Sequence, residues 1–274
     1  MQPSPLNVPS LLKVNGIRPN KRLGQNFLVD ESYLGQIVQA SGVTGQDEVL
    51  EIGAGLGSLT RHLSAAAKQV IAVEIDTNLV RLLRQNTREF GNIEIVEADI
   101  FALKIGDYFD GPYSIVANIP YYLTSNLIRY LLEASPAPKK LALTVQEEVA
   151  ERACASSPEM SLLALSVQLY GAPRIALRIP AGAFYPIPKV DSALLTVDLY
   201  SQTALSQDDI DAFFRMAKAA FAQKRKTLAN SLAALPDWSK QSSLENLERA
   251  GIDPSRRPQT LSLAEWGKLL EVGR

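Results

Sequence analysis

The chain has 274 residues, enough for one large domain or two unequal ones. Hydrophobic residues make up 46% and charged residues 21%, which excludes a disordered or fibrous chain. The formal charge is −1, so the total alone does not point to nucleic acid, and a single Cys and a single His exclude an intramolecular disulfide and a Cys/His metal cluster.

The first residues lack a basic stretch followed by an apolar one and do not read as a signal peptide. Residues 1–29 carry Lys13, Arg18, Lys21 and Arg22 and no acid, which reads as a basic N-terminal arm. A helix is predicted from Asp30, with Leu34, Ile37 and Val38 on one face and a Ser41-Gly42 stop.

Short β-branched runs then alternate with helical patterns. Strands are predicted at 48–52, 70–75, 93–96, 114–117 and 141–145, with helices at 59–66, 79–86 and about 127–132. Nearly continuous Val, Ile and Leu in the strands indicates a parallel sheet covered on both faces. Two further runs, 174–179 and 193–199, are separated only by a loop, which predicts an antiparallel end to the sheet. The stretch 111–128 is uncharged, but Pro112, Asn118, Pro120 and Asn126 exclude a membrane span. No membrane association, a cytoplasmic location and a monomer are the expectations.

Residues 201–209 are polar and aperiodic and mark the domain boundary. Beyond them, capping-box patterns at Ser206–Asp209, Ser242–Glu245 and Ser262–Glu265 predict a small all-helical domain. The expected division is therefore an arm over 1–29, a doubly wound Rossmann-like α/β domain over 30–200, and a helical domain over 201–274.

Three glycines, Gly53, Gly55 and Gly57, follow the first strand of the α/β domain and open a helix. Glycine there permits a sharp turn and a close backbone approach to a ligand, although the spacing is GxGxG and not the GxGxxG of dinucleotide binders. Glu74 ends the next strand, placed to accept ribose hydroxyls, and Asp99 follows the third, placed to receive an adenine amino group. An adenosine compound fits these positions. Glu51 at the glycine turn, with Asp30 and Glu31 upstream, favours a cation over a pyrophosphate, which selects S-adenosylmethionine.

The fourth strand ends in Asn118-Ile119-Pro120-Tyr121-Tyr122. The exocyclic amine of adenine is a poor nucleophile because its lone pair is delocalised into the ring. An Asn oxygen and the Ile119 carbonyl, turned outward by Pro120, can accept the amine's two hydrogens, and Tyr121 can stack on the flipped base. No strong general base is needed, because the nitrogen becomes acidic once methylated.

These stretches, with residues 24–30 and the Phe184-Tyr-Pro-Ile-Pro-Lys189-Val-Asp-Ser192 run, resemble the ribosomal RNA adenine dimethyltransferase family over about residues 18–270. Residues 221–231 and 260–263 resemble its small-subunit branch. The resemblance implies dimethylation of two adjacent adenosines near the 3′ end of small-subunit ribosomal RNA, on the immature small subunit late in assembly. It implies S-adenosylmethionine on Asn26, Leu28, Gly53, Gly55, Glu74, Asp99 and Asn118, and the target base between Tyr121 and Phe184. Ala229 departs from it, standing where a basic residue is expected.

Two alternatives are a macrolide-resistance enzyme acting on large-subunit RNA and an assembly or transcription factor using the fold as a binding module. A nicotinamide dehydrogenase is disfavoured by the glycine spacing.

Charge divides by segment. Residues 30–110 hold thirteen acids and six bases, whereas 1–29, 172–190 and 212–236 hold four, three and five bases and no acid. Arg18, Lys21, Arg22, Lys189, Lys224, Arg225 and Lys226 are the expected RNA contacts.

Overall fold

The computed structural model describes residues 3–203, 205–223 and 225–273. It divides into two compact units, residues 1–150 with 172–199, and residues 151–171 with 200–274.

The first unit contains nine strands among the described residues, β1 (Phe27–Leu28), β2 (Glu48–Ile52), β3 (Gln69–Glu74), β4 (Ile93–Glu97), β5 (Tyr113–Asn118), β6 (Lys140–Gln146), β7 (Gly171–Ile179), β8 (Phe184–Tyr185) and β9 (Ser192–Leu199). Seven form one sheet in the order β4-β3-β2-β5-β6-β9-β7. The pairs from β4 to β6 are parallel, as the sequence predicts, and the antiparallel end of the sheet includes β9 set against β6. Val49, Leu50, Val70, Ile71, Ile115, Val116, Leu141 and Leu143 are all buried, which explains the unbroken apolar runs.

The helices of this unit are α1 (Val8–Val14), α2 (Glu31–Ser41), α3 (Ser58–Ala66), α4 (Thr77–Thr87) and α5 (Thr124–Leu132). From β2 the chain moves outward to β3 and β4, then returns to place β5 on the opposite side of β2. This reversal opens a crevice at the carboxyl ends of β2 and β5, where doubly wound sheets bind ligands.

The N-terminal stretch is not a free arm. Its helix α1 buries Val8 and Leu12 against Leu56, Leu79 and Leu82. Glu31 accepts from the Leu6 N–H at 3.2 Å, and Arg61 donates to the Ser4 carbonyl at 2.5 Å. The i, i+4 spacing of Val8 and Leu12 gives the segment an apolar face that its basic composition obscures.

The remaining helices are α6 (Glu147–Cys154), α7 (Leu162–Gln168), α8 (Gln207–Phe221), α9 (Leu228–Leu232), α10 (Lys240–Arg249) and α11 (Leu263–Val272). The helical unit is larger than the sequence reading allowed, because residues 151–171 belong to it. Ala164 and Leu165 of α7, with Leu169, share a core with Phe213, Ala217, Leu228 and Trp266.

Of the three expected capping boxes, Ser262 with Glu265 forms, and Ser206 caps α8 through the Asp209 N–H. The middle one is displaced. Ser239 is the cap of α10, and Ser242 is the N3 residue that answers it. Ser242 therefore has its hydroxyl engaged inside the box and the helix starts earlier.

Candidate active site

A cleft of about 1010 Å³, counting its solvent-open mouth, lies at the carboxyl ends of β2, β3 and β5. Asn26, Gly53, Gly55, Glu74, Asp99, Asn118, Ile119, Pro120 and Tyr121 line it together. Asn26 and Asn118, 92 residues apart in the chain, thus meet in one cleft.

Glu74 organises the glycine turn. Its Oε2 accepts from the Gly55 N–H at 2.8 Å, and its Oε1 accepts from the Ile75 and Asp76 N–H groups at 2.9 Å each. Gly55 has φ +60, a conformation that favours glycine, and an added Cβ would crowd the Phe27 ring at 3.3 Å. Burial raises the Glu74 carboxyl above its ordinary value, and the three N–H groups oppose that rise.

Glu51 lies deeper. It is fully buried, lines a smaller cavity with Gly53, Gly55, Ser58 and Asn118, and its Oε2 has no hydrogen-bond partner. Burial and the nearby Glu74 charge push its carboxyl up to about 8. A buried carboxyl with one oxygen unpartnered at the base of the glycine turn suits a cationic hydrogen-bond donor.

Several other acids of this unit, including the expected Asp30 and Glu31, serve the fold. Asp30 caps α2, Asp76 caps α4 and accepts from Gln25 at 3.0 Å, and Glu97 accepts from the Thr77 hydroxyl at 2.7 Å. Glu31 pairs with His62 at 2.7 Å, which gives the single histidine a structural partner. Asp99 both lines the cleft and accepts from the Phe101 N–H at 3.0 Å.

Asn118 ends β5, and its Nδ2 donates to the Asn26 carbonyl at 3.0 Å. The amide nitrogen is thereby committed to Asn26. The Ile119 N–H donates to the Thr144 carbonyl at 3.2 Å, and Pro120 leads into the short turn Tyr121–Leu123. Tyr121 bonds Ser192 Oγ at 2.7 Å. Burial raises its phenol above the ordinary value, so it remains protonated near neutrality.

Two expected residues lie outside the lining of the main cleft. Phe184 is only 2% exposed and packs in a core cluster with Leu28, Leu34 and Leu194, so of the expected stacking pair only Tyr121 lines the cleft. Leu28 is 3% exposed and lines the smaller cavity. The reason is the antiparallel pairing of β1 with β8, which sets Leu28 opposite Phe184 and turns both inward.

The sequence reading missed Ile75, Ile100 and Phe101, which give the cleft an apolar wall beside Asp99. Ile75 and Phe101 are 51% and 41% exposed. Large apolar residues one position after Glu74 and two after Asp99, just past the strand ends, were the available signal.

Arg18, Lys21, Arg22, Lys189, Arg225 and Lys226 are exposed, and Lys224 lies outside the described residues. Ala229 is 5% exposed inside the helical core, where a basic side chain would have to be buried. Among the described residues no His, Cys, Asp and Glu cluster of metal-binding type occurs.

The sheet order and the cleft at its reversal define a Rossmann-like methyltransferase. The model of the ribosomal RNA adenine dimethylase family matches residues 16–271, and the chain belongs to that family. A relative from Dehalococcoides mccartyi named ribosomal RNA small subunit methyltransferase A is 44% identical over 93% of this chain and 89% of its own length. One of the same name from Pelotomaculum thermopropionicum is 39% identical over 98% and 96%. Among solved structures, a dimethyladenosine transferase from Plasmodium falciparum superposes with TM-score 0.76 at 26% identity, covering 88% of this chain and 94% of its own. The 23S rRNA methyltransferase ErmE superposes with TM-score 0.73 at 26% identity, covering 90% and 98%.

Proposed function

We propose that the chain is an S-adenosylmethionine-dependent enzyme that dimethylates the N6 amine of two adjacent adenosines near the 3′ end of small-subunit (16S) ribosomal RNA, late in subunit biogenesis. The names of its curated relatives support the small subunit over the large as substrate. The observation that carries the chemistry is the Asn118 amide, whose nitrogen is held by Asn26.

With Nδ2 engaged, Asn118 Oδ1 is left to accept a hydrogen from the exocyclic amine, and the Ile119 carbonyl accepts the other. These two acceptors favour a pyramidal nitrogen whose lone pair is free to attack. Tyr121 supplies a stacking face for the flipped base.

The cleft residues fit the cofactor. Glu74 and Asp99 would hold its ribose and adenine, Ile75 and Phe101 its ring faces, and the turn at Gly53 and Gly55 its amino-acid portion, near Glu51. When bound, S-adenosylmethionine supplies an electrophilic methyl group attached to a sulfonium.

The exposed cations Arg18, Lys21, Arg22, Lys189, Arg225 and Lys226 fit contacts to RNA phosphates. Immature small subunits as the substrate particle, a monomeric state, a cytoplasmic location and no membrane association complete the proposal. No helix among the described residues is long and apolar enough to cross a membrane.

The test is transfer of labelled methyl groups to purified undermethylated ribosomal subunits, followed by mapping of the modified bases. Two adjacent dimethyladenosines in the small-subunit RNA are expected. Label confined to large-subunit RNA would overturn the assignment.

A further inference from the structure

We propose that Ser192 is a positioning residue that fixes the direction of the Tyr121 ring axis, and with it the place at which the target adenine is presented. The inference rests on the reading that Tyr121 carries the base.

Tyr121 lies on a turn whose main chain is already held, since the Thr124 hydroxyl donates to its carbonyl at 3.0 Å. That leaves the ring free to pivot about its two side-chain torsions. Its far end is tied down by Ser192, whose Oγ lies 2.7 Å from the phenol oxygen across 71 residues of sequence. Ser192 is fully buried, so water does not readily replace its hydroxyl as a partner.

The anchor itself is well held. Ser192 opens β9 opposite Gln146 of β6. The adjacent Asp191 carbonyl accepts from the Glu147 N–H at 3.1 Å, and its carboxylate accepts from the Ala181 N–H at 2.8 Å. The hydroxyl is thus presented from a strand end tied to two other segments. A ring held this way presents the amine to Asn118 at a repeatable position, and misplacement by about 1 Å costs on the order of 100-fold in rate.

A structural bond and a positioning bond make different predictions. Loss of a merely structural bond lowers the melting temperature, with no separate effect on turnover. Loss of a positioning bond lowers kcat while leaving cofactor affinity and the KM for the subunit nearly unchanged, because docking and cofactor binding do not depend on where the Tyr121 ring is held.

The experiment is a double-mutant cycle in the full chain with Ser192→Ala, Tyr121→Phe and both together, assayed on undermethylated small subunits. Tyr121→Phe keeps the stacking ring and removes the same bond from the other side, so it carries the test if Ser192→Ala does not fold. Each single variant is expected to lower kcat roughly tenfold, and the double variant to be no worse than either. The proposal is overturned if the single variants turn over at the parent rate, if their losses multiply in the double variant, or if kcat falls only in proportion to folded protein. Tyr121→Ala separates this from the underlying reading. Full activity in that variant removes Tyr121 as the base platform, whereas a large loss there with unimpaired Tyr121→Phe and Ser192→Ala removes only the tether.

Discussion

The side-chain nitrogen of Asn118 donates to the main-chain carbonyl of Asn26 at 3.0 Å, joining the end of β5 to a segment 92 residues earlier. A carbonyl only accepts, so this contact selects which end of the amide faces Asn26. Replacing Asn118 by Ala removes both the tether and the acceptor. Turnover is expected to fall about 100-fold, with cofactor affinity changed only a few-fold, as read by single-turnover methylation and cofactor titration. Asn118→Asp is expected to be equally impaired, because a carboxylate cannot donate to the Asn26 carbonyl.

Glu74 collects three main-chain N–H groups, from Gly55, Ile75 and Asp76. Glu74→Ala leaves all three without their partner. The variant is expected to lose about 1–3 kcal/mol of folding stability and to bind S-adenosylmethionine at least roughly tenfold more weakly. Denaturant unfolding and isothermal titration measure the two effects separately.

Glu51 makes stability depend on pH in a direction opposite to that of a salt-bridged acid. Its carboxyl titrates at 4.5 when free and at about 8 in the fold. Below about 4.5 it is protonated in both states and contributes no pH dependence. Between these values the unfolded chain releases a proton that the folded chain keeps, so stability falls as pH rises, and above about 8 the loss is constant. Glu51→Gln removes this dependence. The variant is expected to gain on the parent between pH 5 and 8, by on the order of a few kcal/mol at the upper end, in unfolding curves taken at both values. An unchanged difference across that range would show that Glu51 ionises normally.

Leu12 tests whether the N-terminal helix is part of the fold. It is 2% exposed and packs with Val8 against Leu56, Leu79 and Leu82. Leu12→Ala is expected to cost about 2–5 kcal/mol in denaturant unfolding. A free arm would give a change near zero.

The order of strands and helices from 48 to 145 was legible in the sequence because each buried strand carries an unbroken apolar run and each helix a one-sided pattern. The cleft residues Gly53, Gly55, Glu74, Asp99 and Asn118 were legible for a related reason. A parallel sheet brings the carboxyl ends of its strands to one edge, so chemistry-bearing residues at those ends must converge.

Local pattern did not extend to the rest. The composition of residues 1–29 reads as an exposed basic arm, yet Val8 and Leu12 find an apolar surface made by Leu56 and α4, which no local signal announces. Residues 151–171 follow the sheet in the chain but pack with Phe213 and Trp266 of the helical unit. Phe184 stands in a motif that suggests a base contact, and the pairing of Phe184 with Leu28 turns it into the core.

By itself the sequence determined the periodicities, the glycine turn and the acids and amide at the strand ends, because these follow from spacing within a few residues. Only the tertiary structure decided which acids face the cleft, which way the Asn118 amide points and which hydroxyl holds Tyr121. Those outcomes depend on partners as far apart as Asn26 and Asn118 or Tyr121 and Ser192, and such partners meet only when the sheet has closed around its core.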